Sequence, residues 1–406
     1  MKECDLTALA SEYIDEEKGV ASAEDAINGA KDIIAERVSD DAEIRKALRE
    51  FIMEEGTVSS VFNDKQEDKE KLNVYEMYKE FSEKIKMLPS HRILALNRGE
   101  KDECLKVTVA CDNDRAVEKI KAKFMKPSAF DKEMSEAIED SYDRLIFPSI
   151  EREVRNELTD KANEQAIKMF EVNLKPLLMQ PPLKGKVIIG LDPAYRTGCK
   201  IAVIDQSGNM LDHTVIFPTP PQNKTEEAKR VMLGLIKKYN ADVISIGNGT
   251  ASKESEIFVA DLIKDCPREV QYMVVNEAGA SVYSASKLGT EEFPNEDVTV
   301  RSAVSIARRL MDPLAELIKI DVKSIGVGQY QHDMPQKRLT EVLEGVVEDC
   351  VNSVGVDLNT ASYSLLAYVS GLNTSIAKNI VAYRAKTPFT DRRQLLEVGK
   401  LGPKAF

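Results

Sequence analysis

The stretch KVIIGLDPAYRTGCKIAVID, from Lys186 to Asp205, constrains the fold more than any other part of the chain. Its first half is a strand too apolar to face water. That strand delivers a carboxylate, Asp192, at its end, and a second apolar run, CKIAVID, starts just after the loop PAYRTG. An ionised carboxylate at the edge of a core is costly unless it is paired, hydrogen-bonded or bound to a metal. The segments that follow decide what stands beside it.

KVIIGLD, CKIAVID and NMLDHTVIF are joined by short turns, which predicts three antiparallel neighbours. A helix follows around EEAKRVMLGLIKKY, then strand ADVISIG, helix SKESEIFVADLIKD and strand VQYMVV. This order is that of a ribonuclease H-like α/β domain. In such a domain the first, fourth and fifth strands run parallel, side by side. Asp192 and Glu277, just past YMVV, then reach one edge of the sheet. The helix RSAVSIARRLMDPLAEL is expected to bring Asp312 to the same edge. Three converging oxygen ligands suit magnesium, and two such ions would clamp the attacking and leaving oxygens of a phosphodiester.

Plainer readings stand beside each of these. Asp312 precedes Pro313, an ordinary helix start. Glu277 would favour the positive end of a following helix, and Arg196 would neutralise Asp192. The loop GNGTASKE has the geometry to hold an anion on free amides, but capping by Thr250 or Ser252 is the simpler explanation.

Residues 1–88 read as helices. Ser22 caps SAEDAINGAKDIIAERV, which places Ile27, Ala30, Ile34 and Val38 on one face; Ile44, Leu48, Phe51 and Ile52 continue the pattern. NDKQEDKEK reads as a solvated loop. Alternation at Leu105, Val107 and Val109 predicts a short strand or hairpin near 104–110. Helical periodicity returns from about 128 to 178, and QPPLKGK breaks it. The chain is therefore expected to be multidomain and mainly α. Its expected parts are a helical scaffold over 1–183, the α/β domain over 184–318 and a helical hairpin region over 319–406.

Charge separates the two ends. Residues 1–80 hold 22 acids and 11 bases, which accounts for most of the net charge of -12. That acidic segment is suited to protein or solvent, not to phosphates. From Lys378 to Lys404 seven bases face two acids, Asp391 and Glu397. There VSGLNTSIAKNIVAYR forms a helix, a tight turn at Gly371–Asn373 and a second helix, with Lys378 close by. Such a hairpin binds phosphates without reading bases. LLEVGKLGPKAF repeats the idea at Gly402 and Lys404, and the chain stops three residues after Pro403, which reads as a cut end. Six scattered cysteines without a CxxC pair, and three histidines, argue against a zinc site and for free thiols. The acidic start has no signal-peptide core, and no apolar stretch is long enough to span a bilayer, so a cytoplasmic protein with no membrane partner is expected.

GLDPAYRTGCKIAVID, IGNGTASKE, NEAGASVYSAS, RSAVSIARRLMDPLAELIKID, SIGVGQYQHD and VEDCVNSVGVDLNTAS, in this order, resemble the Tex family of bacterial transcription accessory proteins. The resemblance covers essentially the whole chain. It implies a helical scaffold around a YqgF-type ribonuclease H-like domain, followed by helix-hairpin-helix elements. It also implies a central fragment, without the further N-terminal helical region and the C-terminal OB-fold domain of the family. Asp192, Glu277 and Asp312 fall where YqgF-type domains carry an acidic triad. Ala194 and Asn373 depart from the family, which often has glycine at the first place and in many hairpins at the second.

The expected function is a scaffold that binds nucleic acid, RNA or single-stranded DNA, non-specifically and acts with the transcription machinery, RNA polymerase included. The alternative is a magnesium-dependent nuclease using Asp192, Glu277 and Asp312 as catalytic and metal ligands. The fold hosts both active nucleases and inactive relatives. A sugar-kinase-like ATP-binding protein would need two such domains and glycine-rich phosphate loops. The nucleic-acid contacts are expected at Gly371, Asn373, Lys378, Gly402 and Lys404.

Overall fold

Side-chain caps start the first long helices in the computed structural model, which describes residues 5–359 and 361–402. The Asp25 amide donates to Ser22 Oγ at 3.1 Å and opens the helix Ala23–Ser39. The Ile44 amide donates to Asp41 at 2.9 Å and opens Ala42–Glu55, whose Ile44, Leu48, Phe51 and Ile52 are all buried. The chain forms two compact units, Met1–Ala166 and Ile167–Phe406.

The first unit holds a sheet where helices were expected. β1 (Thr57–Phe62) lies between β2 (Glu80–Lys84) and β3 (Leu105–Ala110), antiparallel to both. β3 is the strand its alternation predicts. β1 and β2 correct the all-helical reading of 1–88. Their sequences, TVSSVF and EFSEK, are short and largely polar, and β1 earns its place through pairing with β3, more than 40 residues away. Ser59 Oγ and Ser82 Oγ meet at 3.1 Å across the β1–β2 pair. Within NDKQEDKEK, Asp68 caps a short helix, Lys69–Val74, so only the first part of that stretch is loop. The helices Ser90–Lys101, Asn113–Phe124 and Asp131–Asp140 follow, then a 32-residue helix, Phe147–Leu178.

QPPLKGK occupies the irregular connection between Leu178 and the next strand. The second unit then builds a five-stranded sheet from β4 (Ile188–Asp192), β5 (Cys199–Ile204), β6 (Met210–Ile216), β7 (Val243–Gly247) and β8 (Gln271–Val275). Its order is β6-β5-β4-β7-β8, with β4, β7 and β8 mutually parallel and the first three antiparallel. This is the ribonuclease H-like arrangement expected from the strand order. Alternation along β4 decides which side each residue faces. Ile189 and Leu191 pack with Met232, Ile236, Phe258 and Val259 from helices Thr225–Tyr239 and Ser252–Leu262. Ile188 packs on the opposite face with Ala303, Val304 and Ala307 of helix Val298–Met311.

Gly190 lets that helix lie directly on the strand. A methyl group added there would stand 2.9 Å from Ala307 Cβ and closer still to the Ala303 carbonyl oxygen. Helices Gln336–Val354, Tyr363–Leu366 and Thr374–Arg384 and the short turn of helix Arg392–Glu397 complete the described chain. The protein is thus multidomain and mainly helical, with one α/β domain.

Candidate functional site

Asp192 ends β4 on the face covered by helix Val298–Met311. Burial pushes its carboxyl up from the usual carboxylate range, while a hydrogen bond from Ser302 and the charge of Lys200 pull it back. Lys200 is its cross-strand partner. The lysine is buried, and its Nζ donates to Thr197 Oγ1 at 2.6 Å and to the carbonyls of Thr197 and Gly198 at 3.1 and 2.9 Å. The cation whose charge bears on Asp192 is therefore Lys200, its ammonium held by Thr197 and Gly198; Arg196 is exposed on the loop.

Glu277 follows β8, and its loop is held from two sides. Its amide donates to Asn248 Oδ1 at 3.0 Å. Arg309, nearly fully buried, donates through Nη1 to the carbonyls of Asn276 and Ala278, 2.7 Å each. The Glu277 carboxylate accepts from the Gly249 amide, while its Oε2 is buried without a hydrogen-bond partner. A methyl group at Gly249 would lie 2.9 Å from that Oε2 and closer to the rest of the carboxylate, so this position has no room for a side chain. Burial, and then the negative charge of Asp192, push the Glu277 carboxyl up. Asp192 and Glu277 thus come together at the sheet edge.

Asp312 does not join them. Helix Val298–Met311 runs antiparallel to β4: Ser302 sits by Asp192, Ala303 and Ala307 by Gly190, and the Leu310 carbonyl accepts from Leu183, ahead of β4. Ten residues of helix separate Ser302 from Asp312, roughly 15 Å along the axis, so Asp312 lies at the other end of the sheet. There it caps helix Pro313–Leu317, accepting from the Ala315 amide at 3.0 Å, the plainer of its two sequence readings. The third corner is Ser302. Among the described residues no group of three or more His, Cys, Asp or Glu is placed to hold a metal ion. The donor set nonetheless fits a hydrated magnesium ion, which binds through one or two carboxylates and keeps several waters. The unpartnered Glu277 Oε2 is the atom that would gain from it.

Nothing in the sequence marks Ser302 and Arg309 as functional. Their signal was period: with Ala303 and Ile306 they lie on buried faces of a helix whose run RSAVSIARR reads as plain amphipathy. The loop GNGTASKE also differs from its simplest reading. Ala251, at φ 65°, precedes helix Ser252–Leu262 with no side-chain cap, so neither Thr250 nor Ser252 caps it.

At the basic end, Gly371 takes φ 85°, and Asn373 caps helix Thr374–Arg384 by accepting from the Ile376 amide at 3.0 Å. Lys378 Nζ stands 5.1 Å from the centre of the Tyr363 ring. Lys400, from the following loop, reaches back and donates to Ser375 Oγ at 3.1 Å, and Asn379 Nδ2 donates to the Gly399 carbonyl at 2.7 Å. The helix start and Lys400 are thereby brought together, while the Lys378 ammonium lies over the Tyr363 ring. Arg384 is committed elsewhere, donating to the carbonyls of Leu358 and Ala361 at 2.8 and 2.5 Å. Gly402 is exposed; Lys404 lies outside the described residues.

Three family models match the chain. Residues 2–170 match the Tex central region-like model, 186–311 the Tex protein YqgF-like domain, and 351–406 a helix-hairpin-helix motif. The protein YdcI of Bacillus subtilis is 51% identical over 404 residues, covering 99% of this chain and 56% of its own length. Protein tex of Bordetella pertussis is 42% identical over 420 residues, covering 99% of this chain and 53% of that protein. The human S1 RNA-binding domain-containing protein 1 is 38% identical over 407 residues, 96% of this chain and 40% of that protein. The chain spans about half the length of the first two relatives. No helix among the described residues is long and apolar enough to cross a membrane.

Proposed function

Because the chain belongs to the Tex family, we propose that it is a nucleic-acid-binding transcription accessory protein, a scaffold that holds RNA or single-stranded DNA without reading its sequence. The observation that carries this reading is the hairpin, where Gly371 and Asn373 open a helix start that Lys400 reaches through Ser375, with Lys378 further along the same helix. Amides at a helix start and nearby ammonium groups bind phosphate oxygens and carry no base information. Gly402 and Lys404 are proposed as further phosphate contacts. The transcription machinery, RNA polymerase included, is the proposed protein partner, and the cytoplasm the proposed place of action. A relative named a transcriptional accessory protein, 42% identical to this chain, supports the reading of a role in transcription.

The nuclease alternative rested on three carboxylates, and only Asp192 and Glu277 meet. Magnesium at this pair is a proposal of its own. Asp192 and Glu277 would hold the ion, which would supply neutralisation of two facing charges. Ser302 keeps Asp192 oriented, and Arg309 keeps the Glu277 loop in place. The test is binding and cleavage of labelled single strands with magnesium or chelator. We expect binding that weakens with salt on a log–log slope of about -1 to -4, and strands left intact in both conditions. Binding that ignores salt or follows sequence would refute the scaffold reading; metal-dependent cleavage abolished by Asp192→Asn would replace it with the nuclease.

A further inference from the structure

The apolar face of helix Ala23–Ser39 is only partly used inside its own unit. Val38 is buried, but Ile27 and Ile34 are half-buried and Ile33 is 58% exposed. Facing them, Leu9 is 43% and Tyr13 73% exposed. Ile27, Ile33, Ile34, Leu9 and Tyr13, with Leu6 and Met134, line an open groove of about 790 Å³. Scattered exposed apolar residues are ordinary; a contiguous apolar groove framed by charge marks a docking surface.

The frame is acidic. Residues 5–40 contain ten acids and three bases. Two of those bases are already engaged, Lys18 with Asp15 and Lys31 with Glu136. Asp25 and Glu133 stand in the groove wall itself, as does Lys31, whose ammonium is held by Glu136. A nucleic-acid strand would meet this charge with its own phosphates, whereas a cationic partner gains from it.

We propose that this groove binds the apolar face of an amphipathic helix from a protein partner, a helix whose flanks are rich in lysine or arginine. Large side chains spaced at i, i+3, i+4 and i+7 would enter between Leu9, Tyr13 and Ile33, and the basic flanks would lie along the acidic rim. The apolar floor sets residence time; the rim sets encounter rate and the exclusion of acidic competitors. This inference is independent of the hairpin reading, since it uses another part of the chain.

The test is fluorescence anisotropy on the 406-residue chain with a labelled peptide of leucine and lysine, its leucines at helical spacing. An isomer of the same composition with the leucines scrambled controls for charge alone. Leu9→Asn with Ile33→Asn removes apolar contact without adding charge, and a melting curve of the variant confirms that it stays folded at the assay temperature. We expect the patterned peptide to bind about tenfold or more tightly than its isomer, and the double variant to lose about that factor. Equal binding of the two peptides, or equal binding by the double variant, would overturn the proposal. So would sedimentation showing that the parent chain dimerises and the double variant does not, because the groove would then be covered by a second copy.

Discussion

Replacing Gly190 with alanine tests the contact on which the carboxylate site is built. The added methyl would stand 2.9 Å from Ala307 Cβ, 3.1 Å from the Ala303 carbonyl carbon, and closer to its oxygen. Carbon pairs settle at roughly 3.5–4 Å, so helix Val298–Met311 must withdraw from β4 by roughly 1 Å. Overpacking costs about 1–3 kcal/mol, and the upper end applies because two of the three atoms met belong to main chain that cannot rotate away. For a unit of this size about 3 kcal/mol lowers the melting temperature by roughly 6–12 °C. Calorimetry on parent and variant reads the shift. Adding Ala307→Gly should recover only part of it, since the nearest obstacle is the Ala303 carbonyl. Ser302 precedes Ala303 and moves with it, so Asp192 loses its hydrogen bond in the same variant. A shift below about 2 °C would show that the helix does not rest on Gly190, and the geometry around Asp192 would have to be redrawn.

Asp192→Asn relieves the facing carboxylates. Both folded-state carboxyls are pushed up, so the native state holds protons more tightly than the unfolded chain, and their contribution to stability is present at low pH and lost as pH rises through the folded values. Melting curves from acid to neutral pH should therefore fall less with rising pH in the variant than in the parent. Without metal the variant should be as stable at neutral pH, or more so; a clear loss there would make Asp192 a structural partner of Lys200. Lys319 is buried between Glu292, at 3.1 Å, and Glu316, at 2.8 Å. Lys319→Met should cost about 3 kcal/mol in urea unfolding, and Glu316→Gln added to it should restore part; additive losses would mean the two do not interact. Lys400→Ala should weaken single-strand binding and reduce the salt slope by about 1; an unchanged slope would remove Lys400 from the phosphate surface.

Much of the α/β domain was legible because its signals are local. Runs such as VIIGLD and CKIAVID are strands whatever surrounds them, and their number, spacing and connections fix the order β6-β5-β4-β7-β8. Parallel strands expose their ends at one edge, so the meeting of Asp192 and Glu277 follows from topology alone. The direction of helix Val298–Met311 does not. Nothing in RSAVSIARRLMD states which end lies over Asp192; the close fit of Ala303 and Ala307 on Gly190 decides it, and that fit sends Asp312 away and brings Ser302 in. The three-stranded sheet of the first unit was hidden for a related reason. TVSSVF and EFSEK carry little apolar alternation, and their hydrogen bonds are satisfied only by partners distant in sequence. The hairpin lies between these cases. Gly371 and Asn373 announce the turn, but Lys400 reaches Ser375 only once the later loop folds back on the helix. Sequence determined which segments are strands, helices and turns wherever periodicity or a turn residue states it locally; tertiary packing decided which side chains meet, because that depends on how closely two backbones approach.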